Sequence, residues 1–223
     1  MKGLLIFVGV LLFGWSTAQA GEPAKYRASI TNLTAGQVMT PPLWVVHQAS
    51  FSLFTLGAEA SEGLKTQSKD GDPSGLVGEV SGHSAVGSFA IGDGVDPVTL
   101  PTDAVFPGES REVILTGSPT DFLSVSSMLA STNDAFVSYR GLALNLAMGE
   151  KQVIFLNVYD SGAETNNELC ANIPGPPCGN AHSDTAGNEG FVHFHPGLTY
   201  QGDLDPGHAF AAIAAKVTIE RIK

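Results

Sequence analysis

The stretch Asn157–Glu168, NVYDSGAETNNE, places carboxylates and amides directly after a strongly apolar run, Val153–Val158. Asp160 and Glu164 flank the bend Ser161-Gly162-Ala163, and this spacing lets a tight loop turn both carboxylates toward one point. Asn157, Asn166, Asn167 and Glu168 add further oxygens. Clustered hard oxygen donors suit Ca2+ far better than Zn2+. The alternative is an acidic, Asn-rich hairpin loop that is merely solvated.

A second set of candidate ligands lies later in the chain. His193-Phe194-His195 alternates so that both imidazoles can point to one face of a strand, with His182, Asp184 and His208 in the same region. His-x-His occurs in zinc sites and would suit an exported metal-dependent hydrolase, but a polar strand face or a late loop produces the same pattern. Three other stretches carry less. Gly82-His83-Ser84 departs from a serine-hydrolase nucleophile elbow because Val86 stands where the second glycine is required, so His83 and Ser84 read as loop residues. Asp70-Gly71-Asp72-Pro73-Ser74-Gly75 is turn-rich and acidic but lacks the helical flanks and closing glutamate of an EF-hand. His47, beside Val46, reads as a packed or hydrogen-bonded scaffold residue.

The elements that must position these residues are short strands. Lys2, the uncharged run Gly3–Gly14 and Ala18-Gln19-Ala20 have the form of a secretory signal peptide over residues 1–20, leaving 21–223 as one exported domain with no membrane span. Formal net charge is −11, and −12 without Lys2. A surface of that sign repels nucleic acid and anionic lipid and favours cations. With 26 glycines and 13 prolines dividing the chain, the class implied is all-β. Strands are expected at Tyr26–Leu33, Leu43–Val46, Glu112–Thr116, Phe122–Leu129, Ala135–Leu146, Lys151–Tyr159 and Ala214–Ile222, with Val98–Phe106 as an edge or connection and a short helix or turn at Ala58–Leu64. About eight strands at this spacing suggest a β-sandwich. Cys170 and Cys178 are the only cysteines, and in an exported chain they are expected to pair. Asn32-Leu33-Thr34 matches a glycosylation acceptor, a pattern short enough to occur by chance.

Several stretches together resemble the spondin domain family, in the bacterial stand-alone form similar to the F-spondin domain of F-spondin and mindin. They are Tyr26–Gln37, Pro41–His47, Leu53-Phe54 with Gly57, Ala60-Ser61 and Gly63-Leu64, then Asn133–Val137, Tyr159–Glu164 and Lys216–Ile222. The likeness runs over nearly all of 21–223. It implies an eight-stranded antiparallel β-sandwich, C2-like in outline, with one Ca2+ at one end. The implied ligands are Asp134, Asp160 and Glu164, joined by Glu112 from an earlier strand and by the Gly162 carbonyl. Ser161 and Ala163 depart from the family's loop, and Glu164 is one methylene longer than the aspartate expected there.

The function expected from these readings is a secreted, calcium-stabilised recognition or adhesion module without catalytic activity, whose partner is a protein or glycan at the cell surface. Animal relatives of the family belong to matrix and adhesion proteins. Two alternatives stay open: the hydrolase using His193 and His195, and a self-assembling component of a cell-surface matrix.

Overall fold

The computed structural model describes residues 23–92, 104–179 and 187–223. The expected leader, His182 and Asp184 lie outside the described residues, as does most of Val98–Phe106. Among the described residues there are nine strands: β1 (Ala24–Asn32), β2 (Leu43–His47), β3 (Val86–Ile91), β4 (Ser110–Gly117), β5 (Phe122–Met128), β6 (Ala135–Ala143), β7 (Lys151–Asp160), β8 (His193–Phe194) and β9 (Ile213–Arg221). All pairings are antiparallel, in the order β3-β2-β5-β6-β7-β9-β1-β4, with β8 added beside β7. The all-β, antiparallel class expected from the sequence is therefore what forms. Eight strands make one continuous hydrogen-bonded path. That path curls until its two ends approach, where Ser88 Oγ on β3 donates to the Thr116 carbonyl on β4 at 2.8 Å.

The alternation of β1, β4 and β9 follows from their position. Each buries one face, so Tyr26, Ala28 and Ile30, Val113 and Leu115, and Val217 and Ile219 point into the enclosed core while polar neighbours face out. β2 has no such alternation. Its Leu43-Trp44-Val45-Val46 run is buried throughout because the strand divides two cores: Trp44 and Val46 join the main one, Leu43 and Val45 a second. That second core is roofed by α1 (Glu62–Asp70) and α2 (Ser74–Ser81), which contribute Leu64, Leu76 and Val80.

Here the structure departs from the sequence reading. The helix begins at Glu62 rather than Ala58, because Ser61 caps it by accepting the Leu64 N–H. The acidic turn at 70–75 closes α1 through left-handed Gly71 and opens α2, with both Asp72 carboxylate oxygens bonded to Ser74. Gly82-His83-Ser84 joins helix to strand, the reverse of a nucleophile elbow, and Val86–Ile91 is a strand that the sequence reading lacks. Asn32 is 1% exposed, with its amide donating to the carbonyls of Gln37 and Val105 at 2.7 and 2.8 Å, so it is closed to glycosylation as folded. His47 is buried and bonded at both ring nitrogens, a scaffold residue as expected.

Cys170 and Cys178 form a disulfide. It closes a small loop that docks on the sheet through Gly175 N–H donating to the Ala130 carbonyl at 2.8 Å. Loop-closure entropy makes this bridge worth about 2.5 kcal/mol. Cys170→Ser with Cys178→Ser is accordingly expected to lower the unfolding free energy by about that amount in urea titrations, with the slope raised by the less restricted unfolded chain. Among the described residues no helix is long and apolar enough to cross a membrane.

Candidate functional site

Between the end of β7 and the start of β9 the described residues hold one two-residue strand and two short 3-10 turns as regular structure. Several of the backbone donors there are satisfied by carboxylates. Asp134, at the entry to β6 and fully buried, accepts through Oδ2 from Ser161 Oγ (2.7 Å), Ala163 N–H (2.7 Å) and Glu164 N–H (3.1 Å). Glu168 accepts from Thr199 N–H and Oγ1 and from Tyr200 N–H. Asp203 takes the Cys170 N–H at 2.8 Å. Glu168 holds a left-handed backbone (φ 56°), fixed by its N–H bond to Asn133 Oδ1 and by its carbonyl's bond from Asp203 N–H. Asn133 and Asn167 bond each other, and Asn133 reaches Glu164 Oε2 at 3.4 Å.

At the edge of this network a tighter group forms. Antiparallel pairing of β8 with β7 sets His193 opposite Asp160. Gly162 fixes the third member: its carbonyl accepts from Glu189 N–H (3.0 Å) and Gly190 N–H (2.8 Å). The chains touch so closely there that a Cβ on Gly162 (φ 72°) would lie 2.4 Å from the Phe191 carbonyl oxygen. His193 Nε2 consequently lies 2.8 Å from Glu189 Oε2 and 3.9 Å from Asp160 Oδ1. Among the described residues, Asp160, Glu189 and His193 offer one ligand atom each within 4.8 Å of one another. This group could hold a metal ion.

The hydrogen bonds assign the protons. His193 Nδ1 is 3.1 Å from the Phe194 carbonyl, which can only accept, so Nδ1 carries hydrogen and Nε2 faces the carboxylates. A backbone carbonyl orienting the far nitrogen is the usual support for a metal-bound imidazole. Without a metal, Nε2 must itself be protonated to donate to Glu189. Burial works against that charge, but the Phe194 carbonyl, Asp160 and Glu189 outweigh it and raise the His193 pKa. His195 behaves oppositely: burial, then repulsion from His193, pushes its pKa down to about 4. Gly197 N–H donates to His195 Nδ1, so its Nε2–H donates to Asn166 Oδ1, leaving neither nitrogen for a ligand.

Burial also raises both aspartates. Asp134 is pushed up to about 7, with the nearby Asp160 charge adding to desolvation against the three donors. Asp160 is raised by burial and by Glu189, and pulled down by its bonds from Asn166 and Gly162 and by His193. Asp134 Oδ1 is buried and has no hydrogen-bond partner. That bare oxygen is the second feature that favours a cation here.

The residues proposed from sequence meet different fates. Asp134, Asp160 and Glu164 share one network, but Asp134 anchors the 161–164 turn and Glu164 stays outside the 4.8 Å trio. Gly162 contributes position, since its carbonyl already receives two N–H bonds. Glu112 is not brought there. It is exposed on β4 and paired with Arg27 at 3.2 Å. Its ladder row runs through Ser29 and Thr218 to Val153, seven residues before Asp160, which is about 23 Å along the strand. His208 pairs with Asp205 instead. Glu189 was missed, although its i,i+4 spacing before His193 is visible in the sequence. No protein-family model matches this chain, and no curated protein matches it, so the functional reading rests on this geometry.

Proposed function

We propose that the protein is an exported, metal-stapled all-β recognition module without catalytic activity of its own. Asp160, Glu189 and His193 hold one divalent cation that ties the long loop to the end of β7. The observation that carries the reading is the oriented imidazole: His193 directs Nε2 at two carboxylates while the Phe194 carbonyl holds Nδ1. Each ligand comes from a different segment, the end of β7, the loop and β8, so an ion would join three parts of the chain. The spondin resemblance implies Ca2+. One imidazole among carboxylates instead favours a borderline ion such as Zn2+ or Mn2+, while an ion shifted toward Asp134 Oδ1 would meet oxygen alone and suit Ca2+. The leader and the disulfide support export, and the acidic charge favours a partner presenting cations or neutral polar groups, a protein or glycan at a cell surface.

Thermal melts of residues 21–223 followed by Trp44 fluorescence, in EDTA and then in excess Zn2+, Mn2+, Mg2+ or Ca2+, test this. At about 100 times Kd a bound ion adds about 2.7 kcal/mol, or roughly 5–10 °C in midpoint. The expected result is a rise with Zn2+ or Mn2+ that His193→Ala removes. A rise confined to Ca2+ and removed by Asp134→Asn instead would move the ion to the all-oxygen side. No rise with any ion would leave His193 as an imidazolium bridging two carboxylates and end the metal reading. A hydrolytic activity lost with His193→Ala would turn the module into an enzyme.

A further inference from the structure

Apart from the acidic end, the β5–β6 pair opens a second concavity. The register of these strands slips between Leu123 and Val125, and Ser124 at the slip accepts the Gly141 N–H at 3.0 Å. Gly141 there takes φ 85°. The bulge leaves a cavity of about 320 Å³ lined by His47, Ala49, Phe51, Ser52, Phe122, Arg140 and Gly141. That volume is at the lower end of small-molecule sites, and bulges commonly re-aim side chains beside such sites.

Three rings form part of the walls. His47 packs between Phe51, at 5.0 Å between ring centroids, and Phe122, at 6.2 Å. Burial lowers the His47 pKa, and both its nitrogens are spoken for: Nδ1 by the Gln48 carbonyl and Nε2 by Ser124 Oγ, each at 2.8 Å. Its ring therefore adds carbon surface and no charge to the cavity. Gly141 has no side chain to fill the space before Phe122 and His47.

Arg140 is the one charged residue in the lining, and the Asp121 charge is felt at His47. Of the four arginines, Arg27 and Arg111 are in ion pairs and Arg221 donates to the carbonyls of Leu146 and Lys223. Arg140 makes no ion pair or hydrogen bond among the described residues, and its guanidinium stacks over Phe54 at 4.9 Å. A guanidinium held over a ring face by this contact spends none of its N–H donors, and those donors form the fork that matches a carboxylate. In a chain of net charge −11 this is an unneutralised cation beside three aromatic rings.

We propose that this cavity is a binding site for a small aromatic carboxylate, with the ring against Phe51, Phe122 and His47 and the carboxylate on the Arg140 fork. The site is independent of the metal reading and shares no residue with it. Benzoate is the probe, with benzamide as its neutral isostere, titrated into the folded 21–223 protein and followed by amide NMR shifts. A ligand of this size is expected to bind in the millimolar range. The expected result is saturable shifts centred on Ala49, Ser52 and Gly141, with benzamide at least tenfold weaker. Arg140→Gln should weaken benzoate at least tenfold, Arg140→Lys less, and Ala49→Phe, which fills the bowl from an exposed turn, should abolish binding. Equal binding of benzoate and benzamide, shifts that do not saturate by about 50 mM, or benzoate binding that survives Ala49→Phe would overturn the proposal. The Ala49→Phe arm decides the matter should Arg140→Gln lose its fold with the Phe54 contact.

Discussion

Asp134→Ala is expected to lower the unfolding free energy by about 3–5 kcal/mol at pH 5, a midpoint loss on the order of 10 °C. The cause is the loss of the Oδ2 acceptor shared by three donors, Ser161 Oγ and the N–H groups of Ala163 and Glu164, of which Ala163 keeps a second acceptor, Ser161 Oγ at 3.3 Å. At pH 5 the carboxyl is mostly protonated, so the loss reports hydrogen bonding rather than charge. Asp134→Asn keeps an acceptor for those donors and should cost far less. Its pH dependence separates the two roles of Asp134. With a folded pKa of about 7 against an ordinary 3.8, the folded state holds a proton that the unfolded state has released, so this group's contribution falls as pH rises from about 4 to 7. His195, with its pKa lowered to about 4, has the opposite sign and gains stability over about 4 to 6.5. The raw profile mixes these with Asp160 and His193, whose pKa values are both raised. The difference between wild type and Asp134→Asn in EDTA reports Asp134 together with its coupling to Asp160, and the variant should gain on wild type as pH rises from 4 to 7. A difference that is flat with pH would mean that Asp134 is ionised throughout and that its bare Oδ1 finds compensation elsewhere. Urea titrations at three pH values are sufficient to decide.

Glu168→Ala is expected to destabilise by a similar amount, about 3–4 kcal/mol, and to expose the 195–205 segment to proteases before global unfolding. Thr199 N–H and Oγ1 and Tyr200 N–H all depend on this one carboxylate, and residues 199–203 belong to no strand or helix that could supply other acceptors. Glu168→Gln keeps one oxygen for Thr199 but turns an amide donor toward Tyr200 N–H, so an intermediate loss is expected. Cleavage sites mapped by mass spectrometry at low protease would show the local release. An Ala variant as resistant as wild type would show that the Gly202 approach to the Glu168 carbonyl, where a Cβ would stand 2.3 Å from oxygen, is enough to hold the segment.

Both variants concern the region where sequence was least informative. Strands with a short local period were legible: β1, β4, β7 and β9 alternate, and β2 is an unbroken apolar run. β3 was not, because Val86-Gly87-Ser88-Phe89-Ala90-Ile91 is small and mostly half-exposed, and pairing with β2 rather than its own pattern makes it a strand. α2 was hidden by the Asp-Pro-Ser-Gly run before it, where turn chemistry and helix initiation use the same residue types. Glu112 was placed in the site by resemblance alone, and the ladder puts it far along the sheet.

The sequence by itself determined the all-β class and the disulfide and pointed to Asp160 and Glu164 as candidates, because local period, cysteine count and carboxylate density are properties of short segments; Asp134 entered through the spondin resemblance. It also singled out His193, but as part of a competing zinc hypothesis, separate from the acidic loop. Only the tertiary structure made the two into one site. Strand β8, two residues long, carries no periodic signal of its own, yet its pairing sets His193 opposite Asp160, and Gly162 brings Glu189 to both. Register between strands more than thirty residues apart is fixed by the packing of the whole sheet and loop, which no single segment of the sequence encodes.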